Sequence, residues 1–168
     1  MQKNFKTLLN IIKAFVLDVD GVLTDGNLLL LENGELGRRF NTKDGHALQA
    51  AVAAGFTVAL VTSARAENLR TRFKALGVHE VYLDSRDKEE ALKEFSTVYG
   101  IEPQHLLYMG DDLPDLPALR LAGIAACPAD AAHEIKAACI YVSPFGGGQG
   151  CVRDVIEQAL RVQGKWEK

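Results

Sequence analysis

The segment Ala14-Phe15-Val16-Leu17-Asp18-Val19-Asp20-Gly21 constrains the fold of this chain more than any other. Four consecutive apolar residues without polar alternation describe a strand covered on both faces, the habit of parallel sheets. Short apolar runs of the same kind lie at 57–61, 80–83, 106–109, 124–126 and 140–142. Helical patterns separate them. Asp44 is placed to cap a helix over 45–54, a helix over 66–76 ends at Gly77, and one over 87–99 ends at Gly100. Glycine suits the left-handed residue that closes a helix. Strands alternating with helices predict an α/β fold: a doubly wound, mainly parallel, Rossmann-like sheet with helices on both faces. Ligands of such sheets bind beyond the C-terminal ends of the strands, so the polar residues that follow each strand carry the functional interest.

One segment breaks the alternation. Residues 27–41 read as a protruding β-hairpin, with Asn33-Gly34 suited to the two positive-φ positions of a type I′ turn. Leu28 to Leu31 give this hairpin apolar side chains on both faces, and the parent sheet can cover only one. Self-association of the chain through its hairpins is therefore expected. With 48% hydrophobic residues in 168, no internal repeat and no Pro- or Ser-rich linker, the chain reads as a single domain over 1–168.

Nineteen Lys and Arg against 22 Asp and Glu give a net charge of −3, which offers no general basic field to nucleic acid or anionic lipid. No apolar run approaches the ~18 residues of a membrane span. Lys3, Lys6 and Lys13 flank a short Leu/Ile stretch without a small-residue cleavage site, so a secretory signal is not expected. Cys127, Cys139 and Cys151 form neither a CxxC pair nor an even set, and read as reduced thiols of a cytoplasmic protein.

The residues after the strands are Asp18 and Asp20, then Thr62 and Ser63, then Lys88, then Asp111, Asp112 and Asp115. So many carboxylates at one sheet edge repel one another, and their joint ionisation calls for a cation; a few hard oxygen ligands suit Mg²⁺. On an extended segment the period of two places Asp18 and Asp20 on one side, roughly 6 to 7 Å apart, which is room for a phosphoryl group. One carboxylate can attack phosphorus while the other protonates the leaving oxygen. Lys88 would spread the charge, and Thr62 or Ser63 would hold phosphoryl oxygens.

Asp18-Val19-Asp20-Gly21-Val22-Leu23-Thr24 resembles the first motif of the haloacid dehalogenase-type phosphatases. Thr62, Lys88 and Gly110-Asp111-Asp112-Leu113-Pro114-Asp115 resemble the family's other three motifs, in order. The resemblance implies that Asp18 is the nucleophile and Asp20 the general acid/base. It implies also that Lys88 orients Asp18, that Asp18, Asp111 and the Asp20 carbonyl hold Mg²⁺, and that Asp112 and Asp115 stand behind them. No cap domain fits between Asp18 and Thr62, so a lid borrowed from a neighbouring subunit is expected.

Further segments, among them Phe40-Asn41-Thr42-Lys43-Asp44-Gly45 and Gly146-Gly147-Gly148-Gln149-Gly150-Cys151, are similar to the 3-deoxy-manno-octulosonate 8-phosphate (KDO 8-phosphate) phosphatases. That resemblance implies a phosphorylated sugar acid as substrate and a homotetramer whose hairpins form a central barrel and whose neighbouring subunit completes each site. A nine-carbon keto-sugar acid 9-phosphate is the competing substrate, and a silent tetramerisation module or a receiver-type signalling domain are the competing classes. The family usually has Thr-Gly-Arg at its second motif, whereas this chain has Thr62-Ser63-Ala64-Arg65. Arg65 is expected to bind the substrate carboxylate and Asp44 a sugar hydroxyl or the phosphate neighbourhood. The glycine loop at 146–150 is expected to lend flexibility near the mouth. Trp166, in the tail 164–168, is expected to dock on a neighbouring subunit, and the four histidines read as structural or exposed.

Overall fold

The computed structural model describes residues 4–166; Lys3 of the basic N-terminal stretch and Glu167 and Lys168 of the tail lie outside them. The elements run in chain order as α1 (Phe5–Leu9), β1 (Ala14–Asp18), β2 (Leu29–Leu30), β3 (Leu36–Gly37), α2 (Thr42–Ala53), β4 (Thr57–Val61) and α3 (Glu67–Lys74). They continue as β5 (Glu80–Tyr82), α4 (Lys88–Tyr99), β6 (Leu106–Met109), α5 (Leu116–Leu121), β7 (Ile124–Cys127), α6 (His133–Ala138), β8 (Tyr141–Val142) and α7 (Cys151–Val162).

Six strands form one sheet in the order β5-β4-β1-β6-β7-β8, with all pairings parallel. β1 sits in its middle, and its unbroken apolar run serves two cores. Phe15 and Leu17 face one with α2 and α7, while Ala14 and Val16 face the other with α4 and α5. The chain leaves β1 toward β4 on one side and returns to β6 on the other, so the order reverses at the C-terminal end of β1. A crevice at that position is where doubly wound sheets place their ligands. Asp18 is the last residue of β1.

Gly77 and Gly100 take φ of +86° and +61°, as the helix ends require. The hairpin is present but shorter than 27–41, and its turn differs from the expected one. Gly34 N–H donates to Leu31 O at 2.9 Å and Leu31 N–H to Glu35 O at 2.9 Å, while only Gly34 of the Asn-Gly pair has positive φ, at +83°. This is a three-residue loop, in which Glu32 and Asn33 form a type I turn and Gly34 takes the left-handed position after it. Leu29 and Leu30 stand 66% and 72% exposed on this hairpin.

One further expectation is corrected, and the tail residue Trp166 finds contacts within its own chain. The N-cap of α2 is Asn41, whose side chain accepts from Lys43 N–H, so Asp44 lies inside the helix rather than before it. The Trp166 ring packs on its own chain: the Arg153 guanidinium lies 4.8 Å from the ring centroid, and His46 meets the ring edge-on. The ring lies in a groove that α2 and α7 leave within reach of the tail. Cys127, Cys139 and Cys151 are free thiols.

Candidate active site

Just past Asp18 the backbone leaves the strand and makes a wide turn over Val19–Leu23, closed by Thr24 N–H donating to Val19 O at 3.1 Å. Asp20 therefore stands in a turn, and the strand-based spacing of the two aspartates does not apply. Gly21 has φ +93°, and a Cβ there would collide with the Asp111 carboxylate. Two requirements thus coincide at one residue: a left-handed backbone and the close approach of a carboxylate.

Far sequence closes this turn from beneath. Gly148 N–H donates to Val22 O at 2.9 Å and the Cys151 thiol to the same carbonyl at 3.2 Å. Gly147 lies so close to Gly21 O and Thr24 O that no side chain fits there, and Asp130 Oδ1 accepts from Gly147 N–H at 2.9 Å. Flexibility, expected of this glycine loop, is thus replaced by close packing.

Lys88, the first residue of α4, is held behind the Asp87 N-cap and is 6% exposed. Its Nζ lies 2.9 Å from Asp18 Oδ2 and 2.7 Å from Asp115 Oδ1. Asp115 is the hub of this cluster. Its Oδ1 also accepts from the Tyr108 hydroxyl at 2.8 Å, and its Oδ2 from the N–H groups of Asp111 and Asp112 at 3.0 and 3.3 Å. Asp112 itself is exposed and accepts from Leu113 N–H, so it caps the single turn that carries Asp115.

Asp18, Asp111 and Asp115 each offer an oxygen within 4.8 Å of the others. Burial pushes the Asp18 carboxyl well above the usual carboxylate range and Asp115 adds to it, with Lys88 working against both. Asp111 is pushed up to about 6, by burial first and by Asp115 next. Lys88 is raised: burial alone would lower it, but Asp18 and Asp115 outweigh that cost. Three carboxylates against one ammonium leave two negative charges when all are ionised. A hard divalent cation of the Mg²⁺ kind fits both that deficit and that donor set.

The Asp20 carboxylate points elsewhere. Arg38 grips it with both arms of its guanidinium, Nε to Oδ1 at 2.8 Å and the outer nitrogen to Oδ2 at 2.9 Å. Ser63 and Arg65 line the cavity of about 600 Å³ that Asp20 and Arg38 share. Arg65 is 73% exposed and paired with Asp84 at 3.0 Å. Thr62 is buried next to the end of β4, where its hydroxyl accepts from Ala64 N–H at 3.2 Å.

Asp44 does not join this group. It is 1% exposed, and its Oδ1 accepts from Arg153 N–H at 2.7 Å. The expected substrate contact is thus corrected: this carboxylate is sealed in the protein and satisfies the N-terminus of α7, the end of a helix where negative charge is favoured. Arg153 correspondingly pairs with Glu157 on the same helix.

A profile of the haloacid dehalogenase-like hydrolases matches residues 66–150. Over 94% of this chain and 84% of its own length, the 3-deoxy-D-manno-octulosonate 8-phosphate phosphatase of Escherichia coli strain K12 is 34% identical. The chain belongs to the haloacid dehalogenase-like hydrolases. Among solved structures, the 3-deoxy-D-manno-octulosonate 8-phosphate phosphatase of Moraxella catarrhalis superposes on this hydrolase with a TM-score of 0.91 at 34% identity, covering 95% of this chain and 91% of that one. That structure holds magnesium, phosphate and KDO. The Yersinia pestis phosphatase of the same name gives a TM-score of 0.94 at 31% identity, over 97% of this hydrolase and 88% of its own chain.

Arg38 is the residue of this hydrolase's site that sequence reasoning missed. Its only signal was the Arg38-Arg39 pair on the returning arm of the hairpin, where successive side chains take opposite faces. Arg38 turns inward at 6% exposure while Arg39 stays 91% exposed.

Proposed function

We propose that the chain is a Mg²⁺-dependent phosphatase that hydrolyses KDO 8-phosphate to KDO and phosphate through an aspartyl phosphate on Asp18. The observation that carries this reading is the buried Asp18–Lys88–Asp115 cluster at the order reversal of the sheet, with Asp20 two residues on. Lys88 holds one Asp18 oxygen, and Val19 N–H donates to the other at 2.7 Å. Asp18 is thereby oriented to attack phosphorus as the bond to the sugar oxygen breaks. Asp20 gives a proton to that leaving oxygen and then takes one from the water that hydrolyses the aspartyl phosphate. Asp18, Asp111 and the Asp20 carbonyl would hold Mg²⁺, which when bound supplies positive charge for the phosphoryl oxygens. Thr62 and Ser63 serve the remaining phosphoryl oxygens, and Arg65 stands at the mouth for the sugar.

The reading extends to a homotetramer built through the hairpins, acting in the cytoplasm in the supply of KDO for lipopolysaccharide, with residues 1–168 as one unit. Five leucines of the hairpin, Leu28 to Leu31 and Leu36, are each at least 39% exposed, which is an unusual amount of aliphatic surface for so short a segment. A partner seated there would also screen the open cavity beside Asp20. Among the described residues no helix is long and apolar enough to cross a membrane. The test is phosphate release from KDO 8-phosphate and from its nine-carbon 9-phosphate analogue, with and without Mg²⁺. Mg²⁺-dependent turnover that favours the eight-carbon ester is expected, and negligible turnover of both esters refutes the reading.

A further inference from the structure

Arg38 and Asp20 form a forked pair that restrains the residue expected to move protons. Both carboxylate oxygens are engaged by the guanidinium, and the Thr24 hydroxyl adds only a long contact of 3.5 Å to Oδ1. Each oxygen thus spends a lone pair on the guanidinium, which restrains the carboxylate from turning to the leaving group. A competitor on Arg38 would free it, and a planar fork suits a carboxylate or a phosphoryl group; with the phosphoryl group seated at Asp18, a carboxylate on the rest of the substrate is the candidate.

The cavity of about 600 Å³ beside Asp20 says where that competitor comes from. With phosphorus at Asp18, the rest of the substrate extends past Asp20 into this space, which is of the size that small-molecule sites usually have. The charged groups lining it are otherwise occupied. Arg65 pairs with Asp84, the Glu67 carboxylate accepts from Arg70, and the Glu35 carboxylate accepts from the Asn33 amide. Among the cations lining it, Arg38 has the covered side chain, at 6% exposure, and its partner is the residue expected to act as acid and base.

We propose that Arg38 is a specificity-determining residue that exchanges the Asp20 carboxylate for the carboxylate of the sugar acid, so that an acidic substrate frees Asp20 as it binds. This rests on the sugar-acid reading above and adds a recognition step on the hairpin, which the family motifs do not include. A neutral sugar phosphate leaves the pair closed and is turned over poorly, although its phosphoryl group fits the Asp18 site equally well.

The test compares kcat and KM for KDO 8-phosphate and for glucose 6-phosphate, which esterifies the same kind of primary alcohol but has no carboxylate. Arg38→Gln and Arg38→Lys are measured beside the wild-type enzyme, with folding checked by thermal melting. The preference for the acid is expected to fall by about ten- to a hundredfold in Arg38→Gln, the range for losing a charged hydrogen-bond pair, and by less in Arg38→Lys, which keeps charge without the fork. A preference that survives in the folded variants overturns the inference alone, as does an equal proportional loss on both esters. A wild-type enzyme with no preference overturns the substrate reading as well. Independently of any variant, a structure of the wild-type protein with free KDO is expected to show Arg38 on the KDO carboxylate, and Arg38 still closed on Asp20 in that complex refutes the exchange.

Discussion

Lys88 Nζ lies 2.9 Å from Asp18 Oδ2 inside the protein, with only 6% and 7% of the two side chains exposed. A buried pair of this kind adds little net stability when intact, yet removing one partner leaves an uncompensated charge. Lys88→Met is therefore expected to cost about 3 to 5 kcal/mol, the range measured for broken buried pairs. Urea unfolding measures it, and a loss below about 1 kcal/mol, the scale of exposed pairs, would mean that the cluster is solvated. Phosphatase activity falls in the same variant, because Asp18 then loses both its orientation and its countercharge.

Asp18→Asn removes the proposed nucleophile but little of the packing, since the amide keeps nearly the same shape. Turnover of KDO 8-phosphate is expected to drop by at least about three orders of magnitude, on the scale seen when a covalent nucleophile is replaced. The melting temperature of the metal-free variant is expected to match or exceed that of the parent, because one of three crowded carboxylates has lost its charge. Residual turnover near the parent's would remove Asp18 from the nucleophilic role.

Gly21→Ala tests the metal site from the side. The added methyl meets the Asp111 carboxylate at a backbone position with φ +93°. Displacing that ligand is expected to weaken Mg²⁺ binding by about ten- to a hundredfold, as loss of supporting contacts does at other metal sites. Calorimetric titration with Mg²⁺ reads the change directly, and an unaltered affinity argues that Asp111 holds no metal.

The raised Asp111 carboxyl also gives stability a pH dependence of definite sign. Between the ordinary carboxylate value of 3.8 and about 6, the folded protein keeps a proton that the unfolded chain has already released. Its contribution to stability is thus present at low pH and lost as pH rises through that window. In EDTA the parent's melting temperature is expected to fall across it relative to that of Asp111→Asn. Mg²⁺ is expected to stabilise the parent more at pH 7 than at pH 4, since the cation must displace that proton. Parallel curves for parent and variant in EDTA would contradict this.

The hairpin leucines make the assembly testable. Leu29 and Leu30 are among the most exposed apolar side chains, so replacing both by Glu disturbs no core contact. Sedimentation is expected to show a tetramer for the parent and a folded monomer for Leu29→Glu/Leu30→Glu. A parent that sediments as a monomer refutes the tetramer and leaves the open cavity without a borrowed cover.

β1 was legible because its four apolar residues serve two cores at once, a pattern that half-exposed strands and amphipathic helices do not produce. The Asp18, Lys88 and Asp111 cluster was legible because each follows a strand or opens the helix after one, and topology alone brings such positions together. Asp44 misled because a carboxylate at the start of a helical pattern looks like a cap. It is one, but for α7, whose N-terminus is brought to it from more than a hundred positions away, with Arg153 as the donor. Asn33-Gly34 misled because its dipeptide suits two turn types and the loop length chose between them. Arg38 stayed hidden because the Asp20–Arg38 pair exists only once the hairpin folds back over the site.

The floor of the Asp20 turn is laid by Gly147, Gly148 and Cys151, with Val22 and Cys151 separated by 129 positions. A ribosome that has extruded everything through α6 has already made both aspartates, the lysine and the metal-facing carboxylates. The nascent polypeptide still lacks the strip of glycines against which the reactive bend is moulded. The reactive bend therefore waits on the segment that follows α6, and a fragment ending before that segment is expected to display the signature residues without the turn that aligns them.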